Sequence, residues 1–371
     1  MQISPETLPE KGRKTAFRTL LIPIALSVGV LGLVVVLTYE PGTFTTMARA
    51  FHPAYLAAAI GALGGQLALG GLRMQYISHH LVPFRKGVRA QLAWDFMSAV
   101  TPSAVGGAPL ASFFVAKDNN LPVGQATSIM LFSMLLDQLW FAFTIPAILL
   151  ATIQFDIFPP SLGQIGAGTL TVYFLVMLVW VGFFAYATLV RPEIVQRVIE
   201  WVSKLKWLRR YEGRVAEEMQ RLKDQAKVLR GEHPLFFLNG FLYSAGVWMC
   251  RYLVILFIVM SVVPALPVVD FLLRTGAMWL TALIIPTPGG SGGIEGLYVL
   301  FLDPLIPNVF TGPTLVTWRL LAYHLFIVLG LFVTSGTVSS MIQSGRRVSE
   351  EGSAIQAEQA LSPPDQSSRS R

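Results

Sequence analysis

The chain has 371 residues, 53% of them hydrophobic and 13% charged, against about 25% charged in an ordinary soluble domain. So few charges cannot cover a soluble body of this size, and a soluble globular fold is excluded. The net charge of +7 does not point to nucleic acid as a partner, because the Lys and Arg fall in the segments between apolar runs, where membrane topology accounts for them.

Residues 1–16 are polar and carry Lys11, Arg13 and Lys14; they read as a disordered cytoplasmic N-terminus. The apolar run from about Ala16 to Leu37 is longer than a secretory signal core and is followed by no small-x-small cleavage pattern, so it is expected to stay as a first helix. Apolar spans follow at 51–73, 121–150, 166–190, 234–263 and 313–341, each near the 20 or so residues that cross about 30 Å of hydrocarbon. Two further segments, 88–117 and 270–302, are apolar but broken by Pro and Gly.

Basic residues set the orientation. Arg73, His79, His80, Arg85, Lys86 and Arg89 read as one cytoplasmic turn, whereas the loop at 151–165 has no Lys or Arg. Both termini are then cytoplasmic in a multi-pass protein of the cell membrane. Stretch 191–233 has apolar residues at helical spacing among many charges. It reads as an amphipathic cytoplasmic insert whose Lys204, Lys206, Arg209 and Arg210 meet anionic lipid, or equally as a solvated helical connector. Residues 345–371 are polar throughout and read as a disordered tail.

The broken segments carry the functional signal. The first contains Thr101-Pro102-Ser103 and Gly106-Gly107; the second contains Pro286-Thr287-Pro288-Gly289-Gly290-Ser291-Gly292-Gly293. Neither can be one continuous helix, since Pro lacks an amide and Gly disfavours helix. Half-helices of roughly 12–14 residues reach only about 18–21 Å, so each segment is predicted to enter and leave on one side as a re-entrant hairpin. The chain then divides into a first membrane repeat, 17–150 with hairpin 88–117, and a second, inverted one, 166–341 with hairpin 270–302. Paired interruptions of this kind point to a transporter's binding site near the midplane. Two unrelated structural kinks would produce the same pattern.

The expected cavity lining is Gly106, Gly107, Gly289, Gly290, Gly292 and Gly293, with Thr101, Ser103, Thr287 and Ser291 as hydroxyl donors or as caps of their own half-helices. Charges at membrane depth are expensive and tend to mark function; Asp95, Asp137, Arg251, Arg274, Glu295 and Arg319 are the ones to explain. Glu295 suits either a helix cap or a substrate contact. Arg251 and Arg319 offer planar forks for a phosphate, or pair with Asp95 or Asp137. Asp137 and Arg319, at broadly matching places in the closing helices of the two halves, read as a buried ion pair or a gate, a role in which Arg251 is the other candidate. The lone Cys250 excludes a disulfide framework, the His residues lack metal-ligand spacing, and no phosphate-binding Gly-x-x-x-x-Gly-Lys loop is present, so no cofactor, metal or catalytic residue is predicted.

Segment 286–296 resembles the Pro-x-Pro-Gly-Gly-x-Gly-x-x-Glu-Gly signature of the lysylphosphatidylglycerol synthase transmembrane region, a flippase-like domain family. Thr101-Pro102-Ser103 with Gly106-Gly107 looks like that family's first broken element, and the similarity covers about 17–341. The resemblance implies a bacterial or archaeal membrane protein that moves lipids across the bilayer, aminoacylated phosphatidylglycerol being the best-known cargo and polyprenyl-linked glycan pathways the setting of other members. Two-part members carry a soluble synthase domain after the helices; this chain ends in a short polar tail, so lysyl transfer is not carried over.

The expectation is therefore an all-α polytopic membrane protein acting as a lipid flippase or transporter for a lipid with a phosphate-containing headgroup. A membrane-embedded transferase or phosphatase acting on lipid-linked phosphate, and an ion or small-solute transporter, are the alternatives. Expected partners are membrane lipids, with a second copy of the chain and a separate lipid-modifying enzyme as further ones.

Overall fold

The computed structural model describes residues 42–101, 107–187 and 231–334, together with Gly29, Gly32, Val36, Arg191 and Arg197. The predicted terminal segments, the first span at 17–38 and most of insert 191–233 lie outside the described residues. The rest is helical with no strand. In chain order the helices are α1 (Thr43–Ala50), α2 (Pro53–Ile77), α3 (Phe84–Val100), α4 (Ala108–Asn119) and α5 (Val123–Ala151), then α6 (Gly163–Ala185), α7 (Pro234–Met260), α8 (Val268–Ala282), α9 (Gly293–Leu302) and α10 (Asn308–Thr334). Helices α2, α5, α6, α7 and α10 are long and apolar enough to cross a membrane. This is a polytopic α-helical membrane protein.

Local sequence sets most boundaries. Proline stands in the first turn of α2, α4 and α7, where its missing amide costs nothing. His233 caps α7 by accepting the Leu235 amide at 3.3 Å. Asn120, with φ of 55°, ends α4 in the left-handed conformation, which Asn tolerates better than most residues.

Helix lengths repeat along the chain: α2 to α5 have 25, 17, 12 and 29 residues, and α7 to α10 have 27, 15, 10 and 27. The two lead helices, α2 and α7, pack against each other. In each set the second helix packs on the third, and both third helices are short, about 18 and 15 Å at 1.5 Å per residue. Each of these helical pairs is pinned near its open end by a cation. Lys86 donates to the Asp118 carbonyl at 2.6 Å and Arg89 pairs with the Asp118 carboxylate at 2.9 Å. Arg274 pairs with Asp270 at 2.9 Å and donates to the carbonyls of Phe301, at 3.4 Å, and Asp156, at 2.5 Å.

Close packing of α3 on α2 depends on glycine. A Cβ at Gly87 would run into the backbone of Gly71, whose carbon and Cα lie 3.1 Å from it. Gly87→Ala is accordingly expected to lower stability by about 1–3 kcal/mol, the usual effect of overpacking, seen as a lower Tm in detergent.

One sequence expectation is corrected. Arg73 does not sit in the basic turn: α2 continues to Ile77, and Arg73 is fully buried. The turn proper is 78–83, where His79 and His80 adopt positive φ.

Candidate functional site

The two interrupted segments meet. Helix α3 ends at Val100 and Thr101 is extended; its carbonyl accepts the Gly289 amide at 3.3 Å. Gly289, Gly290 and Gly292 have φ of 59°, 67° and 85°, a region that L side chains avoid. Gly289 is doubly required, because a Cβ there would lie 3.0 Å from the Ala99 carbonyl oxygen and would also overlap the Tyr323 ring. Tyr323, from α10, completes the junction: its hydroxyl donates to the Ala99 carbonyl at 3.3 Å and accepts from Ser291 Oγ at 2.9 Å.

The hydroxyls named from sequence are used locally. Thr101 Oγ1 donates to the Met97 carbonyl at 2.7 Å, and Thr287 Oγ1 to the Ser291 carbonyl at 2.9 Å. Ser98, not anticipated, accepts the Gly107 amide at 3.0 Å and so ties the start of α4 back to α3. Ser103 and Gly106 lie outside the described residues.

Three ion pairs lie at and near the junction, two of them buried and one, Arg251 with Asp95, half-buried. Glu295, with no exposed surface, accepts the Gly292 amide at 2.8 Å with Oε2 and holds Oε1 2.9 Å from Arg319 Nη2. It is thus a cap and a counter-ion together. The Arg319 guanidinium lies 4.0 Å from the Tyr323 ring centre, and its Nε and Nη2 have no hydrogen-bond partner among the described residues. Nη2 is close enough to Glu295 for attraction but is not aligned for a hydrogen bond.

The second pair is Arg251 with Asp95, at 2.5 Å. Asp95 also accepts from Gln66 at 3.3 Å and Gln91 at 3.2 Å, and Arg251 lies over Trp248 at 4.9 Å. The third is Arg73 with Asp137 at 2.5 Å, where Arg73 also donates to Ser244 at 2.7 Å and to Gln91 at 3.2 Å. The Gln91 amide accepts from Arg73 and donates to Asp95, which links the second and third pairs.

A cavity with about 60 Å³ open to water opens among these groups, lined by Gln66, Asp95, Arg251, Gly289, Arg319 and Tyr323 with Trp279 and Trp318 beside them. That is room for a few waters. Of the residues predicted from sequence, Asp95, Arg251, Gly289 and Arg319 line this space. Gly290, Ser291, Gly292, Gly293 and Glu295 form the turn behind it, Gly293 packing so that a Cβ would strike Ile285. Gly107 packs on the Met97–Ser98 backbone. The expected pairing of Asp137 with Arg319 is corrected: Asp137 pairs with Arg73, and Arg319 is held by Glu295.

Sequence reasoning missed Gln66, Gln91, Arg73 and Tyr323. Gln66 and Gln91 were readable as polar residues in otherwise apolar surroundings. Tyr323 carried no such signal. Among the described residues no group of three His, Cys, Asp or Glu could hold a metal ion. The cavity presents two guanidinium groups, each beside a carboxylate and each with an Nε that has no hydrogen-bond partner among the described residues.

Two comparisons place the chain among known proteins. The family model described as lysylphosphatidylglycerol synthase TM region matches residues 20–330, a range that contains every helix from α1 to α9 and most of α10. A "UPF0104 membrane protein" of Archaeoglobus fulgidus is 23% identical over 324 residues, covering 84% of this chain and 94% of the relative.

Proposed function

We propose, for a chain that belongs to the lysylphosphatidylglycerol synthase TM region family, a lipid flippase that carries a phosphate-containing headgroup through the cavity between its two interrupted segments. The acyl chains stay in the bilayer throughout. The observation that carries this reading is the convergence of Arg251 and Arg319 on one cavity at the point where the two segments touch.

In this reading α3–α4 and α8–α9 are re-entrant hairpins, each having a third helix too short to span about 30 Å of hydrocarbon. The repeated helix lengths support a two-fold repeat; in this reading the halves are inserted with opposite orientation, so the hairpins dip from opposite faces and alternating access comes from one half moving against the other. Irregular backbone at such depth is tolerated where protein or a wet cavity satisfies it, and the Gly289–Thr101 bond, with the Tyr323 and Thr287 hydroxyls on the carbonyls of Ala99 and Ser291, does so here.

An entering phosphate competes with Glu295 for Arg319 and with Asp95 for Arg251. It can fill donors, such as Arg319 Nε and Arg251 Nε, that now have no hydrogen-bond partner among the described residues. A carboxylate that loses its guanidinium while still buried costs about 3–5 kcal/mol, so the exchange of anions in this reading is coupled to an opening that lets water reach Glu295 and Asp95. About 60 Å³ of water-accessible space is too small for a phospholipid headgroup. Transport in this reading therefore requires the cavity to widen.

The test is reconstitution into vesicles containing a fluorescent phosphatidylglycerol. Inner-leaflet probe should become accessible to a membrane-impermeant quencher only in vesicles that hold the protein. Chemical conversion of the lipid would instead support the transferase or phosphatase reading, and solute flux without lipid movement the channel reading; either outcome rejects the flippase.

A further inference from the structure

We infer that Tyr323 is a positioning residue that holds the two hairpin tips together and releases them when an anionic headgroup takes the Arg319 guanidinium. The inference rests on the headgroup reading given above.

Tyr323 touches all the moving parts. It is buried, and its single hydroxyl joins both tips, accepting from Ser291 of the second and donating to the Ala99 carbonyl of the first. A phenol hydroxyl has one proton to give, so Ser291 has to supply the other bond. The same ring carries the Arg319 guanidinium 4.0 Å from its centre, a cation–π contact of the kind that strengthens where water is excluded.

Arg319 therefore reaches the second tip by two routes that end on adjacent residues. One runs through Glu295 to the Gly292 amide, and the other through the Tyr323 ring and hydroxyl to Ser291. A phosphate that draws Arg319 into the cavity weakens both at once. Across the tips themselves, the bonds from Gly289 to Thr101 and from Tyr323 to Ala99 are both 3.3 Å. These are long for hydrogen bonds and hence weak, as befits a contact that must open.

The local backbone fits a moving part. Tyr323 lies in a π turn, Leu320–His324, within an otherwise α-helical span, and the His324 ring nitrogen Nδ1 bonds the Arg319 carbonyl at 3.0 Å. Single π turns collect at functional sites. A change between π and α geometry rotates Tyr323 relative to Arg319, which is the displacement that would break its bonds to the tips.

The experiment uses the full chain with Cys250→Ala and a reporter cysteine at Val254→Cys, a cavity-lining position on α7. Labelling by a membrane-impermeant thiol reagent is followed in vesicles of phosphatidylcholine, with and without phosphatidylglycerol. The reporter chain should label slowly in phosphatidylcholine and faster when phosphatidylglycerol is present. Tyr323→Phe keeps the ring under Arg319 and removes the hydroxyl. Its bonds to Ser291 and Ala99 go together, but they act in series and opening of the parent breaks one of them, so the variant should label about fivefold faster in phosphatidylcholine alone, the population shift expected from one buried hydrogen bond, and gain nothing from phosphatidylglycerol.

Ser291→Ala leaves the Tyr323–Ala99 bond but cuts the series link between the tips at its Ser291–Tyr323 end; it should have the same effect, and the double variant should match either single one. Independent, additive effects would mark a merely structural role and overturn the proposal. Parent-like labelling of both single variants in both lipids would overturn the latch while leaving the headgroup site standing. A response to phosphatidylglycerol that survives in the Arg319→Met/Glu295→Gln chain would instead overturn the headgroup site.

Discussion

Replacing Asp137 by leucine alone is expected to destabilise the protein by about 3–5 kcal/mol, and Arg73→Met/Asp137→Leu together by much less. Arg73 is fully buried, and its strongest partner is the Asp137 carboxylate at 2.5 Å, with Ser244 and Gln91 as neutral supplements. Removing the carboxylate strands a guanidinium charge between α2, α5 and α7, where Arg73 has no exposed surface and where Arg, unlike Lys, cannot shed its proton. Removing both charges leaves two apolar side chains of similar volume on facing helices. What remains lost is the donor to Gln91, about 1 kcal/mol. Melting of the purified protein in detergent checks this, with Arg73→Met completing the double-mutant cycle. A single Asp137→Leu variant as stable as the double one would mean that the pair contributes nothing to the packing of these three helices.

The same pair shows what a sequence can and cannot carry. The long helices were legible because bilayer thickness forces runs of about 20 apolar residues, and α5, α7 and α10 lie close to where those runs place them. The interruptions were legible too, since Pro286, Pro288 and the following glycines leave the backbone no helical option. Pairing was not. Three arginines and three carboxylates at depth admit several matchings, and the one adopted joins Arg73 to Asp137 and Arg251 to Asp95 across 64 and 156 residues of chain. Arg73 itself was misplaced by the positive-inside rule, which counts basic residues near a helix end without knowing which face they occupy. Only the packing of α2 against α5 and α7 turns that face inward. Tyr323 is the other kind of miss: an aromatic residue in an apolar helix reads the same whether it faces lipid or joins two hairpins, and a π turn has no compositional mark. Gln66, by contrast, was a visible polar residue within a glycine-rich span, and its bond to Asp95 gives the reason for it.

The Arg319→Met/Glu295→Gln chain is expected to fold with a stability within about 1 kcal/mol of the parent yet to move phosphatidylglycerol at least about tenfold more slowly. The paired design matters because either single change confounds two effects. Arg319→Ala would leave the wholly buried Glu295 carboxylate without its cation, a loss on the scale of several kcal/mol, so slow transport could reflect misfolding alone. Glutamine at 295 keeps an oxygen for the Gly292 amide, and Glu and Gln serve alike at the third position of a capping box; methionine at 319 refills the volume of the guanidinium stem beside Trp318 and Tyr323. The geometry of the tip and the packing of α9 on α10 are then retained while the charge that would meet a headgroup is gone. Measuring Tm in detergent and inner-leaflet quenching on the same preparation separates the two quantities. A chain that melts like the parent and also transports like it would show that headgroup phosphate does not depend on Arg319, which would shift the anion seat to Arg251 and remove the reason for Tyr323 to respond to cargo at all.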